Sequence, residues 1–402
     1  MSAITVPDDL VSRGDGGSIV LLVLDGLGGL PGPSGLTELE AARTPHLDAL
    51  AARSSLGVFN PVAPGVTPGS GPAHLALFGY DPLQYPIGRG ILSALGVGFD
   101  LKAGDVAFRL NLASLDREGR ISDRRAGRPS DAEGRAVIDR VRGALEVPDD
   151  VELHVLHEKE HRAVMILRGP GLGGAVEDTD PQETGVPPLP ARAAGPDSVR
   201  TAEIVESLLT QSRALLADDP KVHAFLARGF SRYEGIPSFR ERFGLSGVAL
   251  AKYPMYRGVA RLVGMAVEVE PAGDEETVAA LESSWERFDY SFLHFKATDA
   301  RGEDGDFDAK VAAIEAIDAL VPRVVELEPD VLMVTGDHST PATLKAHSWH
   351  PVPVLLASRW ARPTAQRFGE RDCRGGDLGH FRGVELMSLA LAHAGRLEKY
   401  GA

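Results

Sequence analysis

Five side chains able to bind a metal ion follow apolar or aromatic runs in this chain: Asp25, Asp299, Asp337, His338 and His347. Glu303 lies four residues beyond Asp299. Carboxylate and imidazole together suit Zn²⁺ or Mn²⁺ better than a bare Mg²⁺ site. The candidates outnumber the ligands of one tetrahedral ion, so two ions are the natural count. Such a pair can clamp the attacking and leaving oxygens of a phosphoryl transfer. Any one of these aspartates taken alone reads as a turn or helix cap, and either histidine alone as a hydrogen-bonded surface group. Their joint placement behind three apolar runs argues for one shared centre.

Ser70 is a second reactive candidate, set between Gly69 and Gly71 with Pro72 suited to a first helical turn. It reads either as an ordinary N-cap or as a nucleophile presented beside free backbone N–H groups, where a phosphoryl group is stabilised. A nearby divalent ion would lower the pKa of its hydroxyl. Arginines gather in the middle of the chain: Arg124 and Arg128 after Asp123, then Arg162, Arg228 and Arg232. Guanidinium pairs with carboxylate and phosphate in bidentate fashion. A substrate carrying both anions needs several of them, although each alone also reads as solvated surface.

The elements that must position these groups are legible in outline. Ile19-Val20-Leu21-Leu22-Val23-Leu24 is a continuous apolar run, as expected of a central parallel strand, and 331–334 repeats the texture. Tyr290-Ser291-Phe292-Leu293-His294-Phe295 precedes Asp299, and 352–357 reads as a further strand. In open α/β sheets ligands collect at the carboxyl ends of strands. Thr44 and Pro45 mark a helix start. Val311, Ile314, Ile317 and Leu320 share one face of a helix predicted over 307–321, and a closing helix is expected over 383–394. Residues 1–17 read as a loose polar terminus. The middle differs: 106–112 alternates like a half-exposed strand, 151–156 and 163–167 add two more, 169–196 reads as loop, and 198–217 has helical periodicity. This predicts a domain formed by 1–99 and 248–402, interrupted by a smaller α+β domain over 100–247.

Composition bounds the function. The 402 residues suit two domains. The formal net charge of -15 argues against non-specific nucleic-acid binding. Cys373 is the single cysteine, so neither an intramolecular disulfide nor a thiolate zinc cluster can form. The apolar run at 19–24 is far too short to span a membrane. A cytoplasmic enzyme with no membrane or nucleic-acid partner is expected; the oligomeric state stays open.

With these residues assembled, the chain resembles the cofactor-independent phosphoglycerate mutases, in the archaeal-type branch of the alkaline phosphatase superfamily. The resemblance runs from Val23-Leu24-Asp25-Gly26 to Val384-Glu385-Leu386-Met387. It is carried by 68–74, 79–82, Gly88-Arg89-Gly90, 104–109, 123–128, Asp178-Thr179-Asp180-Pro181 and 335–341. It implies an alkaline-phosphatase-like, mostly parallel sheet flanked by helices, with an inserted transferase domain. It also implies interconversion of 3-phosphoglycerate and 2-phosphoglycerate through a phosphoserine at Ser70. One divalent ion (Mn²⁺, Zn²⁺ or Mg²⁺) would be held by Asp25, Ser70, Asp337 and His338, the other by Asp299, Glu303 and His347. No 2,3-bisphosphoglycerate would be required. Asp123, Arg124, Arg128, Arg162, Arg228 and Arg232 match positions that hold the glycerate. The chain departs from the family at Glu303, where the pattern Asp-x-x-x-His carries histidine. The alternative is a metal-dependent phosphomonoesterase, or a phosphotransferase to another small alcohol such as homoserine.

Overall fold

The computed structural model describes residues 10–401 apart from 13 and 15. The chain divides into two compact units, one formed by 1–86 with 237–402 and the other by 87–236. The strands are numbered along the chain.

The first unit is built on a seven-stranded sheet of order β12-β2-β11-β10-β1-β9-β8. Its members are β1 (Ile19–Leu24), β2 (Ser55–Asn60), β8 (Gly247–Ala251), β9 (Tyr290–Phe295), β10 (Val331–Thr335), β11 (Val352–Ser358) and β12 (Gly379–Arg382). β1 pairs in parallel with both β10 and β9, and β8 continues the parallel run, whereas β11 is antiparallel to β10 and β2. The fold is therefore α/β with a mostly parallel sheet. Every residue of β1 is buried. Val20, Leu22 and Leu24 pack with the helices Pro45–Ala51, Asp274–Ser284 and Phe307–Asp318 through Leu47, Leu281 and Ile314. The helices Ser70–Leu77 and Pro254–Leu262 bring rings to β9: His74 lies 5.5 Å from Phe292, and Tyr256 stacks at 3.6 Å on His294. Burial on both faces explains the unbroken apolar runs.

The second unit has a sheet of order β4-β3-β6-β5, with β7 also paired to β3. These are β3 (Val106–Leu115), β4 (Ile121–Asp123), β5 (Glu152–Lys159), β6 (Arg162–Arg168) and β7 (Ala224–Arg232), all antiparallel. Phe108, Leu110 and Leu112 belong to a core shared with the helices Asp131–Arg142 and Val199–Leu215. Strand alternation sends Arg109 and Asn111 to the other face.

Several expectations need adjustment. The units divide at 86/87 and 236/237, earlier than the 100 and 247 read from sequence. The helix Arg89–Gly96 packs on β3 and β7, and Gly90 allows this, since a Cβ there would lie 2.2 Å from the Ala107 carbonyl oxygen. The helix predicted over 307–321 ends at Asp318, and a separate helix, Val321–Val325, begins with Pro322 in its first turn. The closing helix is Leu386–His393, preceded by a 3₁₀ turn at Gly383–Glu385. Of the terminus expected to be loose over 1–17, residues 1–9, 13 and 15 lie outside the described residues. Val11, however, is bridged to Leu397, and the Ser12 N–H donates to the Arg396 carbonyl at 2.9 Å.

Candidate active site

Register places the principal ligand candidates. Val23 sits opposite Thr335 and Leu24 opposite Phe295, so the next residues out, Asp25, Asp337 and Lys296, leave the sheet at one level. The Gly26 N–H donates to Asp337 Oδ1 at 3.0 Å, and the Asp25 N–H to the Phe295 carbonyl at 2.9 Å. Gly26 has φ +64°, and a Cβ there would lie 2.6 Å from Thr340 Oγ1 and 2.8 Å from Asp299 Oδ1. A side chain is thus excluded both by conformation and by space.

The ligand atoms form two overlapping groups, Asp25–Asp337–His338 and Asp299–His338–His347. His338 stands between them. Its Nε2 lies 3.1 Å from Asp337 Oδ2, 3.5 Å from Asp25 Oδ1 and 3.2 Å from Ser70 Oγ. Its Nδ1 lies 3.0 Å from Thr340 Oγ1 and 3.9 Å from Asp299 Oδ1. His347 stacks on the His338 ring at 3.7 Å, with Nε2 3.5 Å from Asp299 Oδ1.

Asp25 Oδ1 and Asp337 Oδ2 are buried and accept no hydrogen bond. Unsatisfied buried carboxylate oxygens are costly, and two of them converging on an imidazole nitrogen fit a divalent cation. The electrostatics agree. Burial opposes the charge on Asp25, but His294, Lys296 and His338 carry its carboxyl well below the ordinary range. Burial and the neighbouring Asp25 push Asp337 well above it. Burial lowers His338 to about 3, which leaves the ring neutral, as a metal ligand requires.

Ser70 is the first residue of its helix, not its cap: Gly69 is the N-cap and makes no side-chain capping bond. Ser70 is partly exposed. Glu303 is peripheral. Its carboxylate approaches His347 Nε2 at 3.7 Å but falls outside both groups, and its side chain is 55% exposed.

Sequence reading missed the groups that hold the ligands in place. His294 Nε2 lies 3.0 Å from Asp25 Oδ2, and the Tyr256 hydroxyl donates to the same oxygen. Lys296 Nζ bridges Asp25 Oδ2 at 3.0 Å and Asp299 Oδ2 at 2.5 Å. One oxygen of each carboxylate is thereby taken, and Asp25 Oδ1 is left for a cation. His74 Nδ1 lies 2.8 Å from the Ser70 carbonyl oxygen and 3.3 Å from Asp337 Oδ2. The Thr340 hydroxyl donates to Asp299 Oδ1 at 2.6 Å. Most of these contacts join residues distant in sequence, Lys296 with Asp299 and His74 with Ser70 being the local ones; only His74 and His294, in otherwise apolar elements, left a signal there.

In the second unit the arginines separate. Arg109 lies opposite Arg228 on β7, and Asn111 opposite Arg162 on β6, so Arg109, Arg162 and Arg228 share one face of the sheet. Burial lowers Arg109 to about 10, and its Nε lacks a hydrogen-bond partner. Arg124 makes a two-point bond to Asp180 at 2.9 and 2.7 Å, and Arg228 Nη1 is 3.4 Å from the same carboxylate. Asp123 serves a turn: its oxygens accept from the Arg125 and Gly127 N–H groups at 2.8 and 2.6 Å. Arg128 lies in that turn, exposed, with φ +51°. Arg232 pairs instead with Glu234 at 2.7 Å.

The relatives of the chain agree with this architecture. Residues 51–221 match the family model described as 2,3-bisphosphoglycerate-independent phosphoglycerate mutase. A Thermus thermophilus protein named "probable 2,3-bisphosphoglycerate-independent phosphoglycerate mutase" is 55% identical over 389 residues, 96% of each chain. One of the same name from Deinococcus radiodurans is 49% identical over 392 residues, again 96% of each. Among solved structures, a Pyrococcus horikoshii protein superimposes with TM-score 0.81 at 31% identity, covering 96% of this chain and all of that one. The cofactor-independent phosphoglycerate mutase of Thermoplasma acidophilum gives 0.74 at 30%, covering 94% and 100%. Fold, strand-end cluster and relatives together define an α/β enzyme of phosphoryl transfer. The chain belongs to the 2,3-bisphosphoglycerate-independent phosphoglycerate mutases, and interconverts 3-phosphoglycerate and 2-phosphoglycerate.

Proposed function

We propose that this mutase works through a phosphoserine at Ser70 beside a two-ion centre. Asp25, Ser70, Asp337 and His338 would hold one divalent ion, and Asp299, Glu303 and His347 the other, with His338 Nδ1 facing the second group. Bound divalent ions (Mn²⁺, Zn²⁺ or Mg²⁺) supply Lewis-acid polarisation of phosphoryl oxygens and a more acidic serine hydroxyl. The observation that carries this reading is the convergence of Ser70 Oγ, His338 Nε2 and the two unpartnered carboxylate oxygens.

Ser70 Oγ takes the phosphoryl group from the 3-oxygen of the substrate, and the 2-oxygen of the same glycerate then takes it back. The N–H groups and dipole of the helix Ser70–Leu77 favour negative charge beside Ser70. His294, Tyr256 and Lys296 orient Asp25. On the face of the second sheet, Arg109, Arg162 and Arg228 offer like charges that an anionic substrate relieves, and Arg124 is braced by Asp180. Asp123 and Arg128 shape the adjoining turn. Arg232, paired with Glu234, contributes least. No helix among the described residues is long and apolar enough to cross a membrane; with a glycolytic substrate, we place the protein in the cytoplasm.

The test is Ser70→Ala incubated with 3-phosphoglycerate and Mn²⁺, assaying 2-phosphoglycerate and free phosphate. Loss of both products, with a phosphopeptide containing Ser70 trapped from the unaltered enzyme, is expected. Stability should change by no more than about 0.5 kcal/mol, since Ser70 makes no capping bond. Turnover near that of the unaltered enzyme would sink the assignment.

A further inference from the structure

Lys310 lies wholly buried in the helix Phe307–Asp318. Its ammonium donates to three backbone carbonyls: Gly26 at 2.9 Å, Gly28 at 3.2 Å and Thr340 at 2.9 Å. Two of them lie in the loop that follows β1, the third in the loop that follows β10. These are the loops that present Asp25, and Asp337 with His338. Lysine is almost never fully buried without a partner that needs its charge. Here the closest carboxylate, Glu38, stands 4.0 Å away and is itself committed to the Ala342 N–H at 2.7 Å. The charge therefore acts mainly on carbonyl dipoles, as a bound cation would.

Each contact falls within three residues of a candidate ligand. Gly26, whose carbonyl Lys310 holds, follows Asp25 and donates its own N–H to Asp337 Oδ1 at 3.0 Å. Thr340, whose carbonyl Lys310 holds, donates its hydroxyl to Asp299 Oδ1 at 2.6 Å. The Thr340 N–H crosses back to the Gly28 carbonyl at 3.0 Å. Glu370, also buried, anchors the far side of the first loop by accepting the Gly29 N–H at 3.0 Å.

We infer that Lys310 is a positioning residue: its buried ammonium clasps the two ligand-bearing loops through their carbonyls, holding Asp25, Asp299 and Asp337 at ion-binding separation. The inference rests on the metal-centre reading given above. Partners behind a metal's ligands commonly change its affinity by about 10- to 100-fold, and an effect of that size is expected here.

The test measures Mn²⁺ binding calorimetrically to chelator-stripped full-length protein, in the unaltered chain, in Lys310→Met and in Lys310→Ala. The methionine keeps most of the packing volume and removes the charge. The alanine lacks three methylenes and an ammonium, the atoms that n-propylammonium supplies. Both variants should bind Mn²⁺ about 10- to 100-fold more weakly. In Lys310→Ala the affinity should recover with n-propylammonium but not with tetramethylammonium at equal ionic strength, a rescue that a purely space-filling role would not produce. Unchanged affinity in both variants would overturn the inference, as would rescue by both amines alike. So would failure of both variants to fold, with or without amine, because Lys310 would then be a determinant of the fold. If the unaltered protein binds no Mn²⁺, the metal-centre reading falls first and this inference with it.

Discussion

At the scale of single residues, the ligand role proposed for Glu303 is the one that bears most on ion preference. A carboxylate replaces the imidazole of the family pattern, and in the structure it reaches His347 from an exposed position. Glu303→His should shift activation away from Mg²⁺ or Mn²⁺ toward Zn²⁺ or Co²⁺, and Glu303→Ala should weaken the second ion. Activity titrated against each metal for the three proteins checks this. Coincident curves would mean that the residue does not ligate. Chelation should silence the enzyme, and Mn²⁺ should restore it without 2,3-bisphosphoglycerate. Full turnover in protein shown to be metal-free by elemental analysis would contradict the mechanism. The candidate ligands stood out in sequence because most of them lie just beyond an apolar run. The groups that hold them did not. Tyr256 and Lys296 become meaningful only when distant segments pack together. Lys310 did leave a trace: it shares a helical stripe with Ile314 and Ile317, four and seven residues on. A charge on such a stripe marks either a surface boundary or a buried partner.

At the scale of elements, the turn after β1 is the tightest constraint. Gly26→Ala places a methyl against Thr340 and Asp299 in a left-handed backbone. That conformation alone costs an L-residue about 1–2 kcal/mol, and displacing Asp299 should weaken Mn²⁺ binding as well. Calorimetry and urea unfolding on the same sample separate the two effects, and an unaltered Mn²⁺ affinity would show that the turn tolerates the methyl. The strands themselves differed in legibility. β1 and β10 are buried on both faces and read as apolar runs. β2 is just as buried, but its Ser55, Gly57 and Asn60 break the pattern, so its place beside β11 could not be read. β4 and β12 are three and four residues long, too short for any periodicity. The domain boundary was misplaced because the helix Arg89–Gly96 has the apolar texture of the first unit yet packs on the second sheet.

For the whole molecule, buried histidines set the acid limit. His74 and His338 are depressed to about 3 from an ordinary 6.5, burial being the largest cause, and burial lowers His294 as well. Folded pKa values below the unfolded ones give stability that is full above about pH 6.5 and is lost as pH falls toward about 3. Asp25, also depressed, acts in the same sense, while Asp337, raised, opposes it. Each such histidine contributes a slope of about 1.4 kcal/mol per pH unit between its two pKa values. Metal-free protein should therefore unfold at markedly lower urea at pH 4.5 than at pH 7.5; a midpoint that rises on acidification would refute the assignment. Cys373 offers an independent view of the same cooperative unit. It is wholly buried in the helix Glu370–Arg374, which packs on β2 and β11, and burial pushes its thiol pKa upward. The chain thus carries a single chemical clock sealed inside its sheet layer. An aromatic disulfide reagent can consume it only when that layer parts, so the labelling rate counts openings of the native molecule. Ligands that bind the folded form alone should slow the clock in proportion to their occupancy, so that a thiol they never touch reports their binding.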